Sequence, residues 1–330
     1  MRWLHRHHRR LPVRFLDEGH DMTDDTTPGS ARVVVMTGAT SGIGAAALRQ
    51  LAGEPGTRIT VGARGSGREV PTGVETLPLD LASLDSVRAF AAAVTDRLAG
   101  TAIDALVLNA GTQSRRRREA RTADGFATTF GVNHLAHYLL ARLLVPHLAD
   151  NARLILTTSD THDPAVIPFG PRSLDPQALA HRPASGPWAG LRAYAASKLC
   201  NLLTARSLAE LPELRARGIT VLAYNPGLTA GTDLGDPGPA SARFMKLAVY
   251  PLFRIFGSVR PAYRAGEPGR AGLVLARLAT GALTPPAGHV YVSLVGGEVT
   301  YPAPSKLARD DEVRDDLWAR SAVMVGLADR

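Results

Sequence analysis

The residues best suited to chemistry begin with a tyrosine and a lysine on one predicted helix. Tyr194 and Lys198 are four residues apart, so a helix places both side chains on one face. A phenol is a poor acid or base near neutral pH, but a neighbouring ammonium group favours the phenolate and lowers its pKa. Ser159 follows a predicted strand, and Asn133 is an amide in an otherwise apolar helical stretch. These four residues are the candidates for proton transfer with a substrate.

A glycine-rich turn near residue 40 is a candidate phosphate site. It follows a predicted strand and leads directly into a helix rich in alanine and leucine. Gly38 permits a tight turn, Gly42 lets the backbone approach a pyrophosphate, and Gly44 allows the helix to pack closely on the strand. The free N–H groups of the helix then face the negative charge. We expect a dinucleotide to bind at Thr37, Gly38, Thr40, Ser41, Gly42, Ile43 and Gly44.

The ends of the next predicted strands extend this candidate cofactor site. Arg64 follows the second strand, where NAD-binding proteins place an acidic residue; an arginine suits the 2′-phosphate of NADP instead. Asp80 and Leu81 follow the third, where a carboxylate can accept a hydrogen bond from the adenine amino group. NADP(H) is therefore the expected cofactor, with NAD(H) also allowed. The fourth strand ends in small residues that let the backbone lie against the cofactor, Asn109, Ala110 and Gly111.

These candidates depend on an alternation of short β-branched runs with Ala/Leu-rich segments. Because most of the runs are continuously apolar, they are typical of strands that are covered on both faces. The pattern predicts an α/β fold, a single doubly wound domain with a seven-stranded parallel sheet and helices on both faces. The predicted strands are 32–37, 57–62, 74–77, 103–108, 153–158, 219–223 and 289–293. The predicted helices are 42–53, 83–99, 125–148, 193–216 and 269–280, and 161–190 is expected to be a long connection.

Composition narrows the class of protein. The 330 residues carry a net charge of +8, but lysine occurs only at Lys198, Lys246 and Lys306, so nearly all of the positive charge comes from arginine. These arginines do not form a motif that is typical of nucleic-acid-binding proteins. We therefore expect no nucleic-acid partner and interpret the arginine run 115–118 as a solvated surface. The single cysteine, Cys200, indicates a reducing compartment, and no stretch is apolar enough to span a bilayer, so a cytoplasmic protein is expected. Residues 1–30 are interpreted as a disordered or wrongly assigned leader, which leaves 31–330 as the domain.

Taken together and in this order, the motifs resemble those of the short-chain dehydrogenase/reductase family, across about residues 32–293. The resemblance implies a Rossmann-type fold and a hydride transferred between nicotinamide C4 and a substrate carbon. It implies that Tyr194 donates or accepts the proton and that Lys198 binds the nicotinamide ribose and lowers the Tyr194 pKa. Ser159 would polarise the substrate carbonyl, and Asn133 would hold a helix distortion and a water of a proton relay. No metal is implied, and a homodimer or homotetramer is allowed.

Five segments are similar to the retinol-dehydrogenase-like and protochlorophyllide-reductase-like branch: 122–126, 131–135, 159–164, 197–201 and 304–310. Asp160 stands where a small residue is usual, and Cys200 is interpreted as a buried structural thiol. Segment 225–227 resembles the family's Pro-Gly loop over the nicotinamide, which adds Pro226 and Gly227 to the cofactor site, with Thr229 and Thr232 as competing contacts.

Segment 229–266 surrounds an apolar stretch, 244–256, that is interpreted as a lid over the substrate, with weak contact to a membrane surface as the alternative. A small lipophilic alcohol or carbonyl compound is therefore the expected substrate. Two other functions stay open, which are reduction of a C=C bond and a non-catalytic NADPH sensor. The intact set of proton-transfer residues counts against a sensor.

Overall fold

A computed structural model describes residues 31–65, 67–113, 120–182, 188–227 and 266–327. Several expectations from the sequence fall on other residues and lie outside this description. They are the leader 1–30, the arginine run 115–118, all of the lid segment 229–266 except its last residue, and the contacts expected from Thr229 and Thr232.

Within the described residues, eight strands form one sheet in the order β3-β2-β1-β4-β5-β6-β7-β8. The first seven are parallel, as the sequence predicts, whereas β8 pairs with β7 in antiparallel orientation. The prediction of seven strands was therefore wrong by one, because a three-residue hairpin arm is too short to give a sequence pattern. The strands are β1 (Arg32–Thr37), β2 (Thr57–Ala63), β3 (Glu75–Pro78), β4 (Ile103–Leu108), β5 (Leu148–Thr157), β6 (Thr220–Asn225), β7 (Tyr291–Val295) and β8 (Glu298–Thr300).

Helices cover both faces of this sheet. Helices α1 and α8 pack on one face, and α2, α4, α6 and α9 pack on the other. The helices are α1 (Gly42–Ala52), α2 (Leu84–Leu98), α3 (Thr128–Phe130), α4 (Ala136–Leu144), α5 (Pro176–His181), α6 (Ala189–Glu210), α7 (Pro212–Ala216), α8 (Pro268–Thr280) and α9 (Asp311–Met324). No helix in the described part of the chain is both long enough and apolar enough to cross a membrane.

The first strand shows why the sequence folds in this way. Alternate residues of a strand point to opposite faces, so a strand covered on both sides needs apolar residues at every position. Val33 and Val35 pack into the core on one face of the sheet, and Val34 and Met36 pack into the core on the other. All four side chains are buried. The run of apolar residues is therefore the signature of a central strand.

The helix predicted over 125–148 is interrupted. Helix α3 passes into a π-helical segment (Gly131–Leu135) before α4 begins. A π-helical turn inserts one extra residue and redirects carbonyl groups from the regular ladder, and such turns occur frequently at functional sites. Asn133 lies in the middle of this segment. The helix distortion expected around Asn133 is therefore present.

The strand order changes direction between β1 and β4. The chain runs from β1 outward to β2 and β3, then returns to the other side of β1 with β4. In open parallel sheets, a ligand binds in the crevice at the carboxyl ends of the strands where the order reverses. Thr37 ends β1, and Asn109 follows β4. The glycine-rich turn thus lies at this reversal point.

Candidate active site

The glycine-rich turn between β1 and α1 is shaped by close backbone contacts. Gly38 has φ +66°, and a Cβ there would lie 2.5 Å from Cα of Ala110. A Cβ at Gly44 would lie 1.9 Å from the carbonyl oxygen of Gly38, so only glycine fits at either position. Ser41 precedes α1 and makes no side-chain capping hydrogen bond among the described residues. The first N–H groups of α1 are therefore left for an anion, which is the arrangement that fits a dinucleotide pyrophosphate.

Asn109 fixes this turn to the sheet. Its side-chain nitrogen donates to the carbonyl of Gly38 over 3.0 Å, and its side-chain oxygen accepts from the Thr157 hydroxyl over 3.0 Å. The backbone N–H groups of Asn109 and Ala110 donate to the hydroxyl of Thr37 over 3.1 and 3.2 Å. Hydrogen bonds thus join the carboxyl ends of three neighbouring strands, β1, β4 and β5, at the edge of the sheet where the cofactor is expected.

Asn133 connects the end of β4 to α6. Its side-chain oxygen accepts from the N–H of Thr112 over 2.7 Å, and its side-chain nitrogen donates to the carbonyl of Thr112 over 2.9 Å. The same nitrogen donates over 2.9 Å to the hydroxyl of Ser197, which in turn donates to the carbonyl of Tyr194. The amide is fully buried, so these bonds satisfy a group that would otherwise be costly to bury. Asn133 therefore holds the turn that carries Tyr194.

Tyr194 and Lys198 lie on α6, and the ammonium nitrogen is 5.5 Å from the centre of the phenol ring. Lys198 is buried and donates over 3.0 Å to the carbonyl of Thr157. A Cβ on Gly111 would lie 3.3 Å from this nitrogen and 3.7 Å from the side-chain oxygen of Asn133. The fold thus brings three separate predictions, Gly111, Asn133 and Lys198, to one point beside Tyr194.

The pKa values of Tyr194 and Lys198 depend mainly on their burial. Burial lowers the pKa of Lys198 from its usual value to about 8. Burial also raises the pKa of Tyr194 well above its usual range, and the carboxylate of Asp160 raises it further. Lys198 is not among the causes that set the pKa of Tyr194 in this chain, so the expected lowering of that pKa by the ammonium group and a positive nicotinamide stays a prediction. Tyr194 is held as a phenol, the form that can donate a proton.

Ser159 lies just past β5, at the start of a 3₁₀ turn (Asp160–His162). Its hydroxyl accepts from the N–H of Thr161 over 3.3 Å and lies 3.3 Å from a carboxylate oxygen of Asp160, to which it donates. Its carbonyl accepts from Nδ1 of His162 over 2.6 Å, which fixes the turn. Ser159 and Tyr194 are thus both close to Asp160, so the predicted serine and tyrosine share one site.

The other residues predicted to contact the cofactor lie at or near the ends of strands. Arg64 is exposed directly after β2, and Leu81 is half-buried after β3. Asp80 is exposed, and its carboxylate accepts from the N–H of Ala82 over 3.0 Å. Gly227 has φ +72°, and a Cβ there would lie 2.3 Å from the carbonyl oxygen of Leu294. Among the other predicted contacts, four are half-buried at the same edge of the sheet: Thr40, Ser41, Ile43 and Pro226.

His137 is a site residue that the sequence reasoning missed. It is buried; its Nδ1 donates to the carbonyl of Asn133 over 3.0 Å, and its Nε2 lies 3.0 Å from the hydroxyl of Thr37. Burial lowers its pKa to about 4, so the ring is neutral and accepts a hydrogen bond from Thr37 through Nε2. The signal was its position four residues after Asn133, on the same helix face.

Two other features do not add chemistry. Cys200 is fully buried, and burial raises the pKa of its thiol, as expected of a structural cysteine. Among the residues that the structure describes, no group of three or more His, Cys, Asp or Glu side chains is arranged to hold a metal ion.

Comparisons with known proteins identify the family. A family model for short chain dehydrogenases matches residues 32–167. Human (Homo sapiens) retinol dehydrogenase 13 is 33% identical over 316 residues, covering 92% of this chain and 86% of that protein. Chloroplastic protochlorophyllide reductase B of Oryza sativa subsp. japonica is 31% identical over 328 residues, covering 89% and 77%. A crystal structure of an uncharacterised protein from Mycobacterium Paratuberculosis has a TM-score of 0.60 and 27% identity, covering 90% of this chain and 94% of that chain.

The chain belongs to the short-chain dehydrogenase/reductase family, whose members are oxidoreductases that act on CH–OH or C=O groups with NAD(P)(H).

Proposed function

We propose that the chain transfers a hydride between NADP(H) and an apolar alcohol or carbonyl compound, with Tyr194 as the proton donor or acceptor. The observation that carries this proposal is the position of Lys198 Nζ, 5.5 Å from the Tyr194 ring and beside Gly111 at the cofactor edge of the sheet. Burying an ammonium group costs free energy, so buried charges of this kind are found mainly where they have a function. Next to a phenol and the expected position of a ribose, this ammonium group can act on both.

Each residue then has a role that follows from its position. The glycine turn and the N-terminus of α1 bind the pyrophosphate, and Ser159 hydrogen-bonds the substrate oxygen. Tyr194 gives that oxygen a proton during reduction and takes one from it during oxidation. Asn133 holds the backbone of Tyr194 through Ser197. When bound, the nicotinamide supplies or accepts the hydride and, in its oxidised form, adds a positive charge near Tyr194.

Arg64 supports the choice of NADP over NAD. It is exposed just after β2, where the adenosine ribose of a bound dinucleotide lies in folds of this kind. A guanidinium group can bind a 2′-phosphate through two hydrogen bonds. No acidic residue occupies the strand end, which reads Val61-Gly62-Ala63-Arg64.

Two lines support an apolar substrate. The relative described above is named a retinol dehydrogenase, and retinol is an apolar alcohol. The sequence also contains the apolar stretch 244–256, which is interpreted as a lid over the substrate and lies outside the described residues.

Reduction of a C=C bond is a second candidate, since another relative is named protochlorophyllide reductase. Cys200, the one thiol of the chain, is fully buried and burial raises its pKa, so it offers no second proton donor for such a reaction.

The test is turnover of NADPH with a panel of apolar aldehydes, ketones and enones, followed by identification of the products. We expect alcohols from the carbonyl compounds, and a loss of at least about 100-fold in kcat for Tyr194→Phe with NADPH binding retained. Tyr301→Phe is the matched control, because Tyr301 is a partly exposed tyrosine that packs on His289. Saturated ketones as products of the enones would favour the second candidate, and full activity of Tyr194→Phe would overturn the first.

A further inference from the structure

The imidazole of His162 connects the turn that carries Ser159 to a segment near the C-terminal end of the chain. Its Nδ1 donates to the carbonyl of Ser159 over 2.6 Å, and its Nε2 accepts from the backbone N–H of Ser305 over 3.4 Å. A carbonyl can only accept a hydrogen bond and a backbone N–H can only donate one, so these two partners require a neutral ring with its proton on Nδ1. Both ring nitrogens are therefore used to join the two segments.

Packing holds the same ring in place. His162 is fully buried, and its ring meets the ring of Tyr291 of β7 edge-on, with the two centres 5.3 Å apart. Burial lowers the pKa of His162 below its usual value, in agreement with a neutral ring. The side chain thus has one orientation, which is fixed by an aromatic contact and two hydrogen bonds.

The segment 304–309, which lies between β8 and α9, is itself anchored to α6. The hydroxyl of Ser305 accepts from the N–H of Ala308 over 3.2 Å, and the carbonyl of Ala308 accepts from the guanidinium group of Arg206 over 2.9 Å. Arg206 also pairs with Asp311 of α9 over 2.6 Å. Because Arg206 and Tyr194 lie on the same helix, these contacts link the serine turn back to the helix that carries the tyrosine.

We propose that His162 is a positioning residue that fixes Ser159 relative to Tyr194 by tethering the serine turn to the segment 304–309. This inference rests on the function proposed above, in which both side chains act on the substrate oxygen. The bond from His162 goes to the backbone carbonyl of Ser159, so it does not use the hydroxyl proton that the reaction requires. A misplacement of about 1 Å in such a site can cost about 100-fold in rate, so a second anchor on the turn serves catalysis directly.

The kinetic test begins with His162→Phe, which keeps an aromatic ring beside Tyr291 but loses both hydrogen bonds. We expect kcat for carbonyl reduction to fall about 10- to 100-fold. KM for NADPH should stay the same, because the contacts expected for the cofactor are made by other residues. In His162→Asn, the side-chain amide can still donate to the carbonyl of Ser159, so its kcat should lie between those of the wild type and His162→Phe.

His134→Phe is the matched control, because it also removes a buried imidazole that is hydrogen-bonded to a serine, Ser321 of α9. It should lower the melting temperature and keep the kcat of the wild type when both are assayed well below that temperature. A His162→Phe variant with the kcat of the wild type, or an equal fall of kcat in His134→Phe, would overturn the proposal.

A second measurement needs no turnover and separates failure of this proposal from failure of the proposed function. Hydrogen exchange followed by mass spectrometry reports the opening of peptides that contain 157–163 and 304–309. In His162→Phe, both peptides should exchange at least about tenfold faster than in the wild type, whereas His134→Phe should leave both rates unchanged. If a folded His162→Phe keeps the wild-type rates in both peptides, His162 does not tether the two segments, whatever reaction the chain performs.

Discussion

The hydroxyl of Thr37 and Nε2 of His137 lie 3.0 Å apart, and this contact joins the cofactor edge of the sheet to the helix that carries Asn133. Thr37 also accepts hydrogen bonds from the N–H groups of Asn109 and Ala110, and His137 donates to the carbonyl of Asn133. A buried neutral imidazole thus satisfies a donor on one element and an acceptor on another. The side chain of His137 thus joins the end of β1 to the π-helical segment.

Replacing His137 should therefore affect both stability and cofactor binding. His137→Phe leaves the hydroxyl of Thr37 and the carbonyl of Asn133 without this partner, which should lower the free energy of unfolding by about 2 kcal/mol. It should also weaken NADPH binding, because the loop that ends at Ala110 loses its support. The measurements are urea unfolding and fluorescence titration with NADPH.

His134→Phe provides the control for that experiment. His134 is buried on the same stretch of helix, but its Nε2 is paired with the Ser321 hydroxyl of α9 over 2.8 Å, away from the cofactor. The His134→Phe variant should have a lower free energy of unfolding but the same affinity for NADPH as the wild type. Equal loss of affinity in both variants would contradict the specific role of His137.

The same two histidines predict loss of stability in acid. Burial lowers the pKa of His134 to about 3 and that of His137 to about 4, both below the value of about 6.5 expected in the unfolded chain. As the pH falls, these histidines therefore take up protons in the unfolded state at a higher pH than in the folded state. Their contribution to the free energy of unfolding is fully present above about pH 6.5 and is lost as the pH drops towards 4. Each histidine contributes up to about 1.4 kcal/mol per pH unit in this window. Urea unfolding between pH 8 and pH 4.5 measures the slope, which should be shallower in either phenylalanine variant and unchanged in His289→Gln, at an exposed histidine.

Gly44 should not tolerate even a methyl group. A Cβ there would lie 1.9 Å from the carbonyl oxygen of Gly38 and 2.6 Å from the side-chain nitrogen of Asn109, so Gly44→Ala must displace the turn. We expect at least a tenfold weaker NADPH affinity and a lower melting temperature. Gly269→Ala is the matched control, since Gly269 also lies in the first turn of a helix and has nothing within 4 Å of its Cβ position. That variant should be neutral or slightly more stable, as expected for alanine in a helix; similar losses in both would contradict the steric argument.

Arg64→Gln should change the choice of cofactor. Loss of the guanidinium group removes the predicted partner of the 2′-phosphate, so KM for NADPH should rise about 10- to 100-fold while KM for NADH changes little. Steady-state kinetics with both cofactors measures the ratio. Arg49→Gln, in the last turn of α1 and far from its cofactor end, should leave the ratio unchanged. If Arg64→Gln leaves the preference unaltered, NADP recognition does not depend on Arg64.

Lys198→Met should separate stability from activity. Burial lowers the pKa of Lys198 to about 8, so the fold has to desolvate an ammonium group at neutral pH. The apolar side chain removes this cost and should raise the free energy of unfolding by about 1–3 kcal/mol at pH 7. Turnover should fall at least about 100-fold, because the cation beside Tyr194 is lost. Parallel unfolding and activity assays test this, and a less stable Lys198→Met would contradict it.

The sequence predicts the central strands better than the periphery of the fold. The strands that carry the cofactor edge are continuous apolar runs, so β1 and β4 were predicted with their observed bounds. The carboxyl ends of parallel strands meet at one edge, which is why residues as far apart as Gly44 and Lys198 could be assigned to one site.

Elements without a clear hydrophobic pattern were missed. The buried face of helix α9 includes Arg314 and Ser321 as well as Leu317, so the sequence of this helix lacks a continuous apolar stripe. Helix α5 lies within the predicted connection 161–190, although Asp175 as its N-cap and Pro176 at its first position were readable start signals. The raised pKa of Tyr194 could not be predicted either, because it depends on burial and on Asp160 rather than on the Tyr–Lys spacing.

The most direct test of the central claim is transfer of deuterium from NADPH labelled at C4 of the nicotinamide to an apolar aldehyde such as retinal. When the label is on the transferred face, we expect the wild type to form an alcohol that is heavier by one mass unit and deuterated at the carbinol carbon. Tyr194→Phe should bind NADPH with equal affinity but form this alcohol at least about 100-fold more slowly. An unlabelled product from both labelled faces, or a Tyr194→Phe variant as fast as the wild type, would contradict it.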